Sequence, residues 1–331
     1  MMKDYNGILV YAEQHEANLH PISFELLGKG RELADELKVS LSCVLLGYNL
    51  REKAKELIYY GADKVFLYDH PLLEHFDVIL YKHNIVDLIN EEKPGLVLIG
   101  ATRRGKSLAA RIAASLKTGL TADCIDLQLD ENGDFVQIRP AFTGNIIAHI
   151  KTKTKPVIAT IRYKVMKALK KDLNRRGEII EKKVKILENT GIRILRKERQ
   201  KKVKISDAEI IVACGRGLKK PEDISMIEKL ASLLGGVVGA SRPLVDEGWI
   251  SRDFQVGFSG NTVKPRLYIA CGISGSPQHL AGMKDSELIV AINLDVSAPI
   301  FKFADYGIVG DLYDIIPELI KRIKEERSKI G

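Results

Sequence analysis

Between Gly7 and Leu116 short apolar runs alternate with amphipathic stretches across connections of a few residues. That alternation restricts the chain to a parallel sheet covered by helices on both faces, because parallel neighbours need a helical crossover. Gly7 to Ala12, Val39 to Leu46, Lys64 to Tyr68 and Leu96 to Ile99 read as strands. Phe24 to Leu37, Arg51 to Tyr60, Ile79 to Asn90 and Ser107 to Leu116 read as helices, the first with Ser23 as N-cap. After Thr118 to Asp123 the character turns β-rich, with Asp126 to Leu129, Phe135 to Arg139, Ile146 to Lys151 and Val157 to Ile161.

Lys164 to Lys204 follows, dense in Lys and Arg and poor in aromatics, and reads as a solvated connector. A second α/β unit begins near Ile205. Its strands are Glu209 to Ala213, Val237 to Ala240, Leu267 to Ala270, Leu288 to Ile292 and Tyr306 to Val309. Its helices are Pro221 to Leu234, with Pro221 at the favoured first position, and Asp311 to Glu326. Two α/β domains are expected, residues 1–204 and 205–331, and 331 residues with 45% hydrophobic content can fill two cores.

The formal charge of +8 would suit a nucleic-acid partner, but the excess is concentrated in the connector without interleaved aromatics, so none is expected. Cys43, Cys124, Cys214 and Cys271 are dozens of residues apart with no Cys-x-x-Cys pair. That spacing speaks against a structural zinc or iron–sulfur centre, no metal is expected, and sparse cysteine suits a reducing compartment. No run of ~18 apolar residues occurs and the start shows no signal or transit pattern, so the expectation is a soluble, cytoplasmic protein without a membrane span.

The richest local pattern is Leu267 to Met283. An apolar strand runs into a turn holding Gly272, Ser274, Gly275 and Ser276, and Gln278-His279 opens a helix. Unpaired amides at a helix start favour a pyrophosphate, and Gly272 and Gly275 let backbone approach a ligand. His279 is the only histidine after residue 149. In open α/β sheets ligands bind beyond the carboxyl ends of strands, where most glycine-flanked polar residues of the second unit fall.

A rival pattern sits in the first domain. Gly100-Ala-Thr-Arg-Arg-Gly-Lys-Ser107 fits the phosphate-binding loop, follows a predicted strand and precedes a predicted helix. In that reading Lys106 holds nucleotide phosphates and Ser107 ligates magnesium. No apolar strand ending in Asp stands nearby to complete a metal site, and the bland reading is a basic helix start.

The chain resembles the alpha subunit of electron-transfer flavoproteins over nearly its whole length. The resemblance rests on Cys214-Gly-Arg-Gly217, Val238-Gly-Ala-Ser-Arg-Pro243, Gln255-Val-Gly-Phe-Ser-Gly260, the 267–283 segment, Ala291-Ile-Asn293 and Ala304 to Asp311. Val10 to Glu13, Glu25 to Ala34, Thr118 to Cys124 and Arg139 to Asn145 extend it through the first domain. It implies a nucleotide-hydrolase-like N-terminal parallel-sheet domain that holds no nucleotide, and a C-terminal doubly wound domain that binds FAD.

By the same resemblance Arg242 lies over the flavin ring, Ser259 serves its N5 and His279 stands near its pyrimidine carbonyl, as a cation or a hydrogen-bond donor. An arginine cannot lose its proton, so Arg242 would favour added electron density and raise the potential. Ser274, Gly275, Gln278, Asn293 and Asp311 match positions for the ribityl chain, phosphates and adenosine end, with Arg216 and Ser241 as further contacts. Val256, Gly257, Phe258, Ser276, Pro277 and Leu312 complete the implied cofactor-binding set. Phe258 and Trp249 depart from the usual pattern near the ring.

The implied activity is electron relay through FAD, as a heterodimer with an electron-transfer flavoprotein beta subunit, serving a dehydrogenase such as an acyl-CoA dehydrogenase. Flexible connections within Lys164 to Lys204 would let the flavin domain swing. Two other readings stand beside it: a flavin-based bifurcating assembly that uses NADH and ferredoxin through the beta subunit, and a P-loop nucleotide hydrolase.

Overall fold

The computed structural model describes residues 5–141, 146–187, 189–192, 195 and 205–330. The chain divides into two compact units, Met1–Arg196 and Lys197–Gly331. In the first unit β1 (Ile8–Ala12) leads through a small hairpin, β2 (Gln14–His15) and β3 (Asn18–Leu19), to α1 (Ile22–Leu37). Then come β4 (Leu41–Gly47), α2 (Arg51–Tyr59), β5 (Lys64–Asp69), α3 (Val78–Glu92), β6 (Leu96–Gly100) and α4 (Arg103–Leu116). The β-rich end comprises β7 (Leu120–Cys124), β8 (Asp126–Leu129), β9 (Phe135–Ala141), β10 (Ile146–Lys151) and β11 (Val157–Ile161), and β12 (Glu178–Glu181) comes last.

Seven strands form one parallel sheet in the order β12-β5-β4-β1-β6-β11-β7, and β10-β9-β8 form a separate antiparallel sheet. Ile8 stands between Leu41 and Leu96 in the central register. Alternate residues serve opposite faces: Val10, Cys43 and Leu45 pack with α1 and α2, whereas Leu9, Val44 and Leu46 pack with α3 and α4. Burial on both faces explains why these strands read as unbroken apolar runs.

Three local expectations change. Ser23 lies inside α1, whose N-cap is Pro21, and its hydroxyl donates to the Glu13 carbonyl at 3.3 Å. Leu120–Cys124, read as a transition, is a strand paired with β11. The solvated connector fails for its first part, because Glu178–Glu181 adds an edge strand beside β5. Arg175 and Arg31 both bond Asp63 Oδ1 at 2.9 Å, and the Lys185 amide donates to Asn84 Oδ1 at 2.8 Å. Glu-Ile-Ile-Glu is a short edge strand with charged ends, a pattern that composition alone reads as solvated. Phe142 to Asn145 and residues 188, 193–194 and 196–204, which carry parts of the expected motif and connector, lie outside the described residues.

The second unit contains β13 (Ile210–Cys214), α5 (Ile224–Leu234), β14 (Val237–Ala240), α6 (Arg242–Asp246) and β15 (Leu267–Cys271). It continues with α7 (Pro277–Leu280), β16 (Ile289–Asn293), β17 (Tyr306–Val309) and α8 (Leu312–Ile330). Pro221 opens a 3-10 turn, Pro221–Asp223, that precedes α5. All five strands are parallel in the order β14-β13-β15-β16-β17. Val212, Cys214, Ile269 and Cys271 pack with α5 and α8, and Ile211, Ala213, Tyr268 and Ala270 lie beneath loops carrying Val256, Val263, Met283 and Ile300. The strand order reverses between β13 and β15, so the crevice for a ligand opens at their carboxyl ends. Among the described residues no helix is long and apolar enough to cross a membrane.

Candidate functional site

The loops after β13 and β15 meet at that reversal through backbone alone. Gly215 N–H donates to the Cys271 carbonyl at 3.0 Å and Gly217 N–H to the Gly272 carbonyl at 3.1 Å. A Cβ at Gly217 would come within 2.6 Å of Gly272 Cα, so no side chain fits between the loops. Gly275 holds φ +85, and a Cβ there would lie 2.5 Å from the Ile300 nitrogen, whose N–H donates to the Ser274 carbonyl at 3.0 Å.

Beside this seam lies a cleft of about 410 Å³. It collects Ser241 and Arg242 from the start of α6, Val256 to Ser259 from the loop before β15, and Ser276, Gln278 and His279 from α7. Arg242, Ser259 and His279, placed in one site from sequence, line one cleft here. The Phe258 N–H donates to the Gln278 carbonyl at 2.7 Å and ties two walls together. Gln255 Nε2 donates to Ser259 Oγ at 3.0 Å and leaves the hydroxyl hydrogen available. Phe258 is 54% exposed and offers its ring to the cleft, whereas Trp249 packs against the core beside α5 and α8.

His279 is 5% exposed, and its Nε2 lies 2.9 Å from the Tyr268 hydroxyl. Nδ1 is buried and forms no hydrogen bond in the protein, although the Val256 carbonyl stands near enough to offset part of the burial effect. Burial lowers the imidazole pKa to about 4, so the ring is neutral at pH 7. Of the two forms expected from sequence, the structure keeps the hydrogen-bonding imidazole and not the cation. An apolar-walled cleft with a guanidinium, a hydroxyl and a neutral imidazole fits a flat ring with polar edges, so the residues fit the flavin.

The remaining expected contacts do not line that cleft. Arg216 is exposed on the loop after β13, and Ser274, Asn293 and Asp311 sit at or beyond the carboxyl ends of β15, β16 and β17. Asn293 Nδ2 donates to the Ile273 carbonyl at 3.0 Å, and Asp311 Oδ1 accepts the Tyr313 N–H at 2.9 Å. Leu312 is a core residue at 4% exposure, so its side chain is not free for a ligand. Pro277 opens α7, which spans only Pro277–Leu280.

The loop that carries the first-domain rival forms a capped helix start. α4 begins at Arg103, one turn before the expected Ser107, and absorbs Gly105, Lys106 and Ser107. Thr102 Oγ1 accepts the Gly105 N–H at 2.9 Å and donates to the Glu13 carboxylate at 2.6 Å. A buried carboxylate therefore stands against the Thr102 cap at the helix start, and Lys106 pairs with Asp123 at 2.7 Å. Gly105 is explained by packing, since a Cβ there would meet the Gly100 carbonyl at 1.9 Å.

Sequence reasoning missed Asp246, Gln255 and Tyr268. The i,i+4 spacing of Arg242 and Asp246 on α6 and the Gln255–Ser259 spacing within one loop were the local signals among them. Tyr268 reaches the site through its contact with His279.

The electron transfer flavoprotein domain matches residues 8–187, and the electron transfer flavoprotein FAD-binding domain matches residues 204–284. The chain is 50% identical over 328 residues to the electron transfer flavoprotein subunit alpha of Thermoanaerobacterium thermosaccharolyticum, covering 98% of this chain and 99% of that one. It is 47% identical over 325 residues to subunit LctC of the lactate dehydrogenase (NAD(+),ferredoxin) of Acetobacterium woodii, covering 97% and 77% of the two chains. It is 42% identical over 359 residues to the acryloyl-CoA reductase electron transfer subunit beta of Anaerotignum propionicum, covering 99% and 98%. With FAD as the cofactor of its second unit, the chain belongs to the electron transfer flavoprotein alpha-subunit family.

Proposed function

We propose that this chain is the FAD-holding half of an electron-relay heterodimer, paired with an electron-transfer flavoprotein beta subunit and serving a dehydrogenase. The observation that carries this reading is the convergence of Arg242, Ser259 and His279 on one cleft at the strand-order reversal. Bound FAD supplies reversible uptake and release of electrons, and the protein sets potential and access. Arg242 contributes a permanent positive charge, Ser259 a hydroxyl for N5, and His279 an uncharged hydrogen-bonding ring. Arg216 serves phosphate, and Ser274, Gly275, Gln278, Asn293 and Asp311 serve the ribityl and adenosine portions. The division of labour runs at residue 204, with residues 1–204 as a scaffold without nucleotide.

An acyl-CoA dehydrogenase is the proposed partner type. A second reading, a bifurcating assembly that draws on NADH and reduces ferredoxin, is favoured by the relative whose name couples NAD and ferredoxin. Purified heterodimer decides between them through a flavin count per pair and NADH oxidation with and without ferredoxin. One flavin and no ferredoxin-dependent turnover supports simple relay; two flavins with ferredoxin-dependent turnover supports the second reading. A heterodimer whose alpha subunit binds no flavin overturns both.

A further inference from the structure

We infer that Tyr268 is a positioning residue for the flavin site: its hydroxyl donates to His279 Nε2 and keeps the imidazole in the tautomer that carries its hydrogen on Nδ1. In that form the His279 N–H, not a lone pair, stands beside the Val256 carbonyl in the cleft wall and the imidazole is held in one orientation, a role that rests on the cleft holding the flavin ring.

Tyr268 sits on β15, the central strand of its sheet, at 0% exposure. Its side chain points to the face covered by loops, and the chain returns through Gly272 and Gly275 to lay α7 over it. The phenol oxygen then lies 2.9 Å from His279 Nε2, eleven positions later, and that nitrogen is its single hydrogen-bond partner among the described residues.

A neutral imidazole has one donor and one acceptor nitrogen. Were Nε2 the donor, the buried phenolic hydrogen would have no acceptor, and the Nδ1 lone pair would face the Val256 carbonyl. Both penalties vanish when Tyr268 donates. Burial also pushes the Tyr268 phenol far above its ordinary pKa, and the neighbouring Cys214 and Cys271 thiols are pushed up as well. The phenol therefore stays protonated, and no charged group among these competes for its hydrogen.

The test uses the full chain co-purified with its beta subunit and labelled with nitrogen-15 at histidine, the His279 signals being those lost in His279→Asn. The expected spectrum shows a pyrrole-type Nδ1 and a pyridine-type Nε2, and Tyr268→Phe is expected to shift the signals toward the opposite tautomer. Tyr268→Phe is also expected to change the flavin potential in the wild-type background and not in His279→Asn, because the effect passes through the imidazole. A wild-type spectrum with the hydrogen on Nε2, or an equal potential shift in both backgrounds, overturns the assignment. Reduction of the bound flavin should move the His279 signals. Signals that stay fixed while the hydrogen remains on Nδ1 would overturn the placement of the ring and leave the Tyr268 assignment standing.

Discussion

Arg242 Nε lies 3.0 Å from Asp246 Oδ2, one turn along α6, and both side chains line the cleft proposed for the flavin ring. The guanidinium that would draw electron density into the ring thus has a carboxylate partner on its own helix. Both partners are largely exposed, so the pair adds little to folding and its influence falls on the site.

Replacing the charge should therefore move the potential with the fold intact. Arg242→Ala is expected to lower the flavin midpoint potential and Asp246→Asn to raise it, each by tens of millivolts, since a tenfold preference for the reduced form is worth about 59 mV per electron. Folding stability is expected to change by less than about 0.5 kcal/mol. Spectroelectrochemical titration checks the first quantity and urea unfolding the second; an unmoved potential in both variants removes Arg242 from the ring contacts.

His279 links stability to pH. Its folded pKa, about 4, lies below the ordinary value of 6.5, so below pH 6.5 the unfolded chain binds the extra proton. The stability it contributes is present above pH 6.5 and is lost as the pH falls toward 4, on the order of 3 kcal/mol in all. Trp249, the sole tryptophan, lies in the second unit and reports its unfolding by fluorescence. Urea midpoints followed this way should fall between pH 6.5 and 4 in the wild type and stay flatter in His279→Asn.

Gly275 tests the seam of loops. Gly275→Ala forces a side chain into the left-handed region at φ +85 and against the Ile300 amide. The backbone alone costs about 1–2 kcal/mol, before any shift of the Ile300 loop. FAD retention on gel filtration is expected to drop, together with the thermal midpoint of the second unit.

The closed turn at the start of α4 predicts indifference to nucleotide. Magnesium-ATP should give no thermal stabilisation, and Lys106→Ala should change neither nucleotide turnover nor flavin content. Thr102→Ala removes the cap on Gly105 and the donor to Glu13, and is expected to cost about 1 kcal/mol. A stabilising shift with nucleotide that disappears in Lys106→Ala would restore the phosphate-loop reading.

Local pattern alone located most strands and helices, because side-chain period is a property of near neighbours. The family resemblance, carried by the motifs, gathered Arg242, Ser259 and His279. Where local chemistry was ambiguous, local pattern fell short: the helix expected from Ser107 begins a turn earlier, at Arg103, and a charged stretch at Glu178–Glu181 became an edge strand. Both outcomes depend on what lies opposite, Glu13 for the one and β5 for the other.

The amino-acid order by itself determined two α/β units and the turns able to approach a dinucleotide, since these follow from periodicity and from where glycine stands. Only the tertiary structure decided that Tyr268 meets His279, that the imidazole is neutral, and that Asp246 shares Arg242. Desolvation and hydrogen-bond partnership arise when the sheet, α6 and α7 pack, and no short window of sequence contains them.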